Sequence, residues 1–312
     1  MRFAIIDCGT NTFHLMIAEL NNGSIKRIYK TKKAVKLGEG GILNKVILPV
    51  PYQRGLSALA SFRKKIDEYD VKHVIAYGTA ALRSAKNGKK FIEDSWKTCR
   101  IKPGLITGSR EAALIYKGVS MALKLEKGVS LIMDIGGGST EFILCDEKKV
   151  LWKKSFPAGA ALLLEKFQPS DPLTSSQHKA IVNWHSEMLA PLMEAAAKWQ
   201  PVRLIGSSGS FDTFAEMILL NQPEGLNALK GKTSYRFNMK EYNSIHKVLL
   251  HSTTAERMNM KGLVKMRVDM IVMGTIQLSF VLKQLNIKSM YLSRYALKEG
   301  MLKELSESKD QQ

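Results

Sequence analysis

Asp134-Ile135-Gly136-Gly137-Gly138-Ser139-Thr140-Glu141 lies between two apolar runs, Val129-Ser130-Leu131-Ile132-Met133 before it and Phe142-Ile143-Leu144-Cys145 after it. Both runs read as buried strands. A carboxylate therefore ends one strand, three glycines turn the chain, and a hydroxyl pair with a second carboxylate opens the next. Three consecutive glycines are entropically costly, so the turn calls for a reason. One reason is a phosphate cradle, in which backbone N–H groups close on an anion because no Cβ stands in the way. Flanking carboxylates suit Mg²⁺, which takes hard oxygen ligands and shares them with phosphate. The competing reading is a plain glycine-rich hairpin with solvated carboxylates.

The N-terminus repeats the pattern. Phe3-Ala4-Ile5-Ile6 reads as a strand ending at Asp7, followed by Cys8-Gly9-Thr10-Asn11-Thr12, a strand over 13–20, a hairpin signal at Asn21-Asn22-Gly23 and a third strand over 25–29. Asp7 and Asp134 are 127 residues apart, a spacing that reads as a duplicated, two-lobed architecture. Two such turns are harder to dismiss than one.

The chain of 312 residues is 45% hydrophobic, enough for a sizeable core and two lobes. The longest uncharged run among the helix candidates, 270–282, is too short to span a bilayer, and the N-terminal apolar run stops at Asp7, unlike a signal peptide. Cys8, Cys99 and Cys145 form no metal or redox spacing and suit a reducing cytosol. The sequence holds no H-E-x-x-H and no G-x-S-x-G, which argues against zinc and serine hydrolases. Its 47 Lys and Arg outweigh 28 Asp and Glu, for a net charge of +19. Lys26, Arg27, Lys30, Lys32, Lys33 and Lys36 form the densest basic cluster. Such charge attracts polyanions, although most single lysines need only be solvated surface. Aromatic-interleaved basic strands and zinc fingers are absent, which argues against a nucleic-acid surface.

Between the turns, Pro49 and Pro51 precede a helix with an apolar stripe at Leu59, Phe62, Ile66 and Tyr69. A strand over 73–77 leads through Gly78-Thr79-Ala80-Ala81-Leu82 to Arg83, whose planar fork suits phosphate oxygens if it is not simply a surface arginine. Thr107-Gly108-Ser109 turns into a helix over 110–123. With Ser109 as N-cap, Glu111 falls in the first turn, as a dipole-compensating carboxylate or as a general base. Beyond the second turn, Pro157-Ala158-Gly159 leads into a helix over 160–167. A helical region runs over 170–199 with a break at Pro191. A strand over 202–205, the turn Gly206-Ser207-Ser208-Gly209-Ser210 and a helix over 211–220 make a candidate anion site. Helices over 239–251 and 268–285, a strand over 288–292, a helix over 295–305 and a frayed polar tail complete the chain.

Taken together, the sequence resembles the exopolyphosphatase/guanosine pentaphosphate phosphohydrolase family, within the actin, hexokinase and Hsp70 fold superfamily. The resemblance spans nearly the whole chain. It rests on Asp7-Cys8-Gly9-Thr10-Asn11-Thr12, Gly78-Thr79-Ala80-Ala81-Leu82-Arg83, Ile106-Thr107-Gly108-Ser109-Arg110-Glu111-Ala112, the Asp134 turn, the Gly206 turn, Arg267-Val268-Asp269 and Ala296-Leu297-Lys298-Glu299-Gly300. It implies an α/β fold of two ribonuclease-H-like (actin-like ATPase) domains, each a mixed five-stranded sheet flanked by helices, with the active site in the interdomain cleft. The domains would be 1–124 and 125–294, with the last helix, about 295–312, packing back on the first. The resemblance implies that Glu111 activates a water and that Asp7, Asp134 and Glu141 gather Mg²⁺ or Mn²⁺. Thr10, Asn11, Thr12, Gly136, Gly137, Gly138 and Ser139 would hold the terminal phosphates. Arg83, Gly206, Ser207, Ser208, Gly209, Ser210 and Arg267 would hold the chain further along.

Two substitutions depart from the family's pattern. Arg110 stands where the family has a first glutamate, and Lys298 stands where it commonly has arginine. Family members with extra C-terminal helical domains extend further, so the chain reads as a short form. The substrate implied is inorganic polyphosphate, with guanosine pentaphosphate as the alternative. A kinase of the superfamily and a non-catalytic polyanion or nucleotide sensor are the other readings. The family also implies a homodimer, and the location expected is the cytoplasm.

Overall fold

The structure, a computed structural model, describes residues 1–21 and 24–309. The chain divides into two compact units, Met1–Gly118 with Leu297–Gln312, and Val119–Ala296.

Unit 1 is built on a five-stranded mixed sheet of order β3-β2-β1-β4-β5. Its strands are β1 (Arg2–Cys8), β2 (Thr12–Asn21), β3 (Ser24–Ala34), β4 (His73–Gly78) and β5 (Gly104–Leu105). β1 is antiparallel to β2 and parallel to β4. Phe3, Ala4, Ile5 and Ile6 are buried on both faces, as befits a central strand. The expected hairpin at Asn21-Asn22-Gly23 falls on Asn22 and Gly23, outside the described residues. Helices α1 (Pro49–Glu68), α2 (Ala80–Ser84) and α3 (Gly88–Cys99) follow. The two prolines form the first turn of α1 rather than preceding it, which Pro's fixed φ and missing N–H favour. Leu59, Phe62 and Ile66 are buried against Phe13, Leu15 and Ile17 of β2, while Tyr69 caps the helix.

α4 (Gly108–Ala122) begins earlier than expected. Thr107, not Ser109, accepts from the Arg110 N–H, at 3.1 Å. Thr107 O also takes the Glu111 N–H, at 2.9 Å. Either hydroxyl could cap a helix; capping at Thr107 leaves Glu111 in the first turn.

Unit 2 carries a six-stranded sheet of order β10-β11-β9-β6-β7-β8, one strand more than expected. These are β6 (Ser130–Ile135), β7 (Thr140–Cys145), β8 (Val150–Phe156), β9 (Arg203–Ser207), β10 (Ser234–Arg236) and β11 (Met290–Ser293). β10, the additional strand, has three residues and pairs antiparallel with β11 at the edge. The helices are α5 (Ala160–Phe167), α6 (Ser175–Met188), α7 (Ala190–Trp199), α8 (Ser208–Leu219), α9 (Met239–His251), α10 (Thr254–Met258) and α11 (Ile271–Gln284). α6 starts at Ser175 rather than 170, because Thr174 and Gln177 close a capping box there. It stops at Met188, and Leu189 caps it before α7 opens with Pro191 in its first turn. A 3₁₀ turn at Lys265–Arg267 delays α11 to Ile271. α12 (Leu297–Lys309) packs on β1 in unit 1 and continues through the stretch expected to fray; residues 310–312 lie outside the described ones.

Two neutral histidines lie in unit 2. His185 is fully buried, its Nδ1 hydrogen-bonded to Ile181 O, and His246 bonds Thr275 Oγ1. Burial pushes both down to about 4 from an ordinary 6.5. The unfolded chain therefore binds protons first as pH falls. Stability present above pH 6.5 is lost progressively toward pH 4, by about 2 kcal/mol for the fully buried His185 at pH 5 and by less for His246. Thermal unfolding followed from pH 7.5 to 5 should show this fall before the carboxylates titrate. A constant midpoint across that range would contradict the assignment.

Candidate active site

In unit 1, Asp7 sits near the end of β1, opposite His14 of β2 and Tyr77 of β4. The turn after it is tied down from several sides. Asn11 O accepts the Val35 and Lys36 N–H groups at 2.9 and 2.8 Å, and Thr10 O accepts that of Gly38. Thr10 is buried, and its Oγ1 accepts from the N–H of Ala81 in α2 at 3.2 Å. Thr12 already belongs to β2. Gly9 is required here, since a Cβ would stand 2.8 Å from Thr12 O.

α2 carries Arg83 to Glu111. Its Nη1 donates to Glu111 Oε2 and to Ile106 O, both at 2.9 Å. Glu111 is only 7% exposed. The pair is partly buried, so neither member can be deleted without leaving the other's charge uncompensated. The first turn, α2 and the start of α4 thus form one connected set around a single carboxylate. Arg110 turns away from it and pairs with Glu304 of α12.

In unit 2, Asp134 and Glu141 are cross-strand partners, 5% and 1% exposed. They project from the face opposite Met133 and Phe142, which face the main core. Like charges directly opposite on a sheet repel, and four serine hydroxyls answer them. Ser207 and Ser208 donate to Asp134 Oδ2 at 2.6 and 2.7 Å. Ser139 and Ser155 donate to Glu141 Oε1 at 2.7 and 2.6 Å. Ser208 holds a left-handed φ of 67°, a conformation unfavourable for a residue with a Cβ. It is placed where its hydroxyl reaches the carboxylate.

The glycine turn closes with Gly136 N–H on Ser139 O at 3.0 Å. Its carbonyls are taken by α5. Ala160 N–H donates to Gly136 O, and Ala161 and Leu162 N–H donate to Gly137 O, at 2.9, 3.0 and 3.0 Å. These are first-turn donors that a helix otherwise leaves without partners. In a trans peptide the N–H points opposite to the C=O before it. Fixing the Gly136 and Gly137 carbonyls on α5 therefore turns the Gly137 and Gly138 N–H groups away from it. Among the described residues these two N–H groups meet no acceptor. That is the disposition an anion cradle needs. Gly159 makes it possible: a Cβ there would lie 2.4 Å from Gly137 C and 2.5 Å from Gly138 N. Beneath the turn, Thr140 and Gln277 bond one another and both bond Ala158 O, at 3.0 Å each.

The expected Gly206–Ser210 turn is not a loop. Gly206 and Ser207 end β9, and α8 starts at Ser208. Gly206 has no room for a Cβ, which would meet the Phe211 ring at 1.9 Å. The side chain of Arg267 lies over Gly209, where a Cβ would stand 1.6 Å from its Nη2, and it donates to Thr213 Oγ1 at 2.7 Å. Burial pushes its pKa down from the ordinary arginine value. Ser210 is buried in α8 against Gly274 of α11.

Asp134 and Glu141 fit a divalent ion by chemistry: two buried hard-oxygen donors of like charge on one face. Asp7 belongs to the other unit. Among the described residues no group of three or more His, Cys, Asp or Glu could hold a metal ion. An ion with only two such protein ligands needs oxygens from substrate or water, the usual habit of Mg²⁺. Sequence reasoning missed Ser155, Gly159 and Gln277. Only Gly159 left a signal, as the glycine of a Pro-Ala-Gly turn.

Known proteins resemble the chain over nearly its whole length. The Ppx/GppA phosphatase family model matches residues 16–309. A putative exopolyphosphatase of Haemophilus influenzae is 32% identical over 311 residues, 98% of this chain and 91% of that protein. A guanosine-5′-triphosphate,3′-diphosphate pyrophosphatase of Aliivibrio fischeri is 28% identical over 301 residues, 96% of this chain but 58% of that protein's length. The crystal structure of an exopolyphosphatase from Cytophaga hutchinsonii superposes with a TM-score of 0.96 at 40% identity, covering 99% of this chain and 98% of that one. With two mixed sheets, the glycine turn and this breadth of likeness in hand, the chain belongs to the Ppx/GppA phosphatase family.

Proposed function

We propose that the chain is an exopolyphosphatase, hydrolysing the terminal phosphoanhydride of inorganic polyphosphate and releasing orthophosphate. The observation that carries this reading is the buried Glu111 carboxylate, held by Arg83 within the set that fixes the first phosphate turn. Phosphoryl transfer asks mainly for positioning and charge neutralisation, and when water is the nucleophile a base must orient it. Glu111 is that base. Arg83 fixes its orientation, and the Thr10, Asn11 and Thr12 turn and the outward N–H groups of Gly137 and Gly138 bind phosphate oxygens. Arg267 and the start of α8 supply further positive charge. Asp134 and Glu141 would hold Mg²⁺ or Mn²⁺. When bound, that ion would neutralise charge on the phosphates. Three buried, unpaired cysteines fit a reducing compartment, and we place the activity in the cytosol. Among the described residues no helix is long and apolar enough to cross a membrane.

The named activity of the Aliivibrio relative supports a second reading, removal of the 5′-terminal phosphate of guanosine pentaphosphate. Phosphate release with Mg²⁺ from long-chain polyphosphate, tripolyphosphate and guanosine pentaphosphate, assayed side by side, separates the two. Highest kcat/KM on long polyphosphate is expected, with loss of turnover on chelation. Preference for guanosine pentaphosphate by tenfold or more would establish the second reading, and no release from any of them would remove both.

A further inference from the structure

Edge strand β3 carries five exposed cations: Lys26, Arg27, Lys30, Lys32 and Lys33. Among the described residues, Lys26, Arg27, Lys32 and Lys33 have no ion pair. Some exposed lysines elsewhere are matched, as Lys65 is by Glu68, Lys72 by Asp70 and Lys90 by Asp94, and others, such as Lys89 and Lys148, are not matched among the described residues. Lysines on an edge strand can serve simply to prevent strand pairing. That function does not ask for the charges to gather on one face.

Here the register puts three of the five on one face, while Lys26 and Lys33, opposite Glu19 and Phe13, fall on the other. Arg27, Lys30 and Lys32 stand opposite Ala18, Met16 and His14 of β2. Those partners alternate along β2, so the three cations share one face of the sheet. Across β2, His14 pairs with Asp7 of β1. Lys32, His14 and Asp7 therefore form one row, from the open edge to the strand end that starts the first phosphate turn. Two strand spacings, about 10 Å, separate Asp7 from Lys32, and the cations continue along the edge for about 15 Å more. Tyr29 points to the other face and packs against Tyr69 at 5.3 Å. The basic face thus has no aromatic platform for bases, which favours a bare chain of phosphates over a nucleic acid.

We propose that the β3 face formed by Arg27, Lys30 and Lys32 is a docking track for inorganic polyphosphate, holding the part of the chain beyond the end being cleaved. This rests on the exopolyphosphatase reading for its substrate. The track binds by charge alone and acts only on chains long enough to reach it from the Asp7 turn.

The test compares the wild type with R27Q/K30Q/K32Q and with a control, K148Q/K149Q/K153Q, that removes equal charge elsewhere. Steady-state phosphate release is measured on long polyphosphate and on tripolyphosphate. The β3 variant should raise KM for the long chain about tenfold, leave kcat within twofold and leave tripolyphosphate kinetics unchanged. The salt dependence of long-chain binding, read by anisotropy of labelled polyphosphate, should weaken by a log–log slope of about 2. Equal losses on both substrates, or an equal loss in the control, would overturn the track. If the wild type releases no phosphate, the activity reading fails by itself. The anisotropy measurement then still decides: chain-length-dependent binding lost only in the β3 variant supports the track, and unchanged binding removes it. A single-stranded oligonucleotide bound as tightly, and weakened as much by the three substitutions, would also overturn the proposal.

Discussion

Glu111→Gln should abolish most phosphate release while leaving the fold intact. A positioned general base contributes roughly 10²- to 10⁴-fold, and the loss in kcat should fall in that range. Glutamine keeps the shape of the side chain and can still accept from Arg83 through its amide oxygen. What it cannot do is take a proton from water. The cost to folding is bounded by the same contact: Arg83 loses its carboxylate partner, but its side chain is 26% exposed and also donates to Ile106 O. Water can compensate such a group far better than a sealed one. The measurement is kcat for phosphate release together with the thermal midpoint. Turnover within a fewfold of wild type, with the midpoint preserved, would remove Glu111 from the chemistry. Collapse of the midpoint would show instead that the carboxylate is structural.

Gly159→Ala should damage unit 2 and the phosphate cradle at once. The added Cβ would fall 2.4 Å from Gly137 C and 2.5 Å from both Gly137 O and Gly138 N. All three atoms are backbone, so no flexible side chain can swing away. Either α5 retreats, losing its three hydrogen bonds to the turn, or the turn itself is displaced. Overpacking of this kind, with partnered backbone groups lost, costs about 2 to 4 kcal/mol. Activity should fall further than stability explains, because the Gly137 and Gly138 N–H groups lose their orientation. Gly104→Ala is the control, since its nearest neighbour would lie at an ordinary 3.6 Å. Thermal unfolding and phosphate release measured on both variants decide the matter; a Gly159 variant with wild-type values would mean that the turn is not held by α5.

Much of this architecture was legible from residue type and spacing. The two Asp-to-hydroxyl turns announced themselves through glycines and flanking apolar runs, and β1, β4, β6 and β7 followed. Glu111 was legible as a first-turn carboxylate after a strand-to-helix junction, but position left its role open, and only the family resemblance singled it out as a base. The cap of its helix was not legible: Thr107 and Ser109 are equally able donors and acceptors, and only the folded backbone selects the first. β10 was invisible for a related reason, since three residues on a sheet edge show no periodicity to read. The Gly206 turn was misplaced because its glycine serves packing against Phe211 and not chain reversal. Ser155 is an ordinary serine in an ordinary strand until Glu141 appears beside it. Local pattern reports backbone demands well. It reports poorly the partners that a side chain meets from distant parts of the chain.

The last helix has a consequence for how the protein is made. α12 crosses α4 so closely that a Cβ on Gly300 would meet Leu114 O at 1.8 Å. Ion pairs from Arg110 and Lys117 to Glu304, and from Lys117 to Glu307, fasten the crossing. Unit 1 is therefore discontinuous, its first 118 residues waiting for a helix that starts at Leu297. Domains that finish within their own stretch of chain can fold as they leave the ribosome. This one cannot. The helix that bears Glu111 has an uncovered face throughout synthesis of unit 2, until α12 has been made.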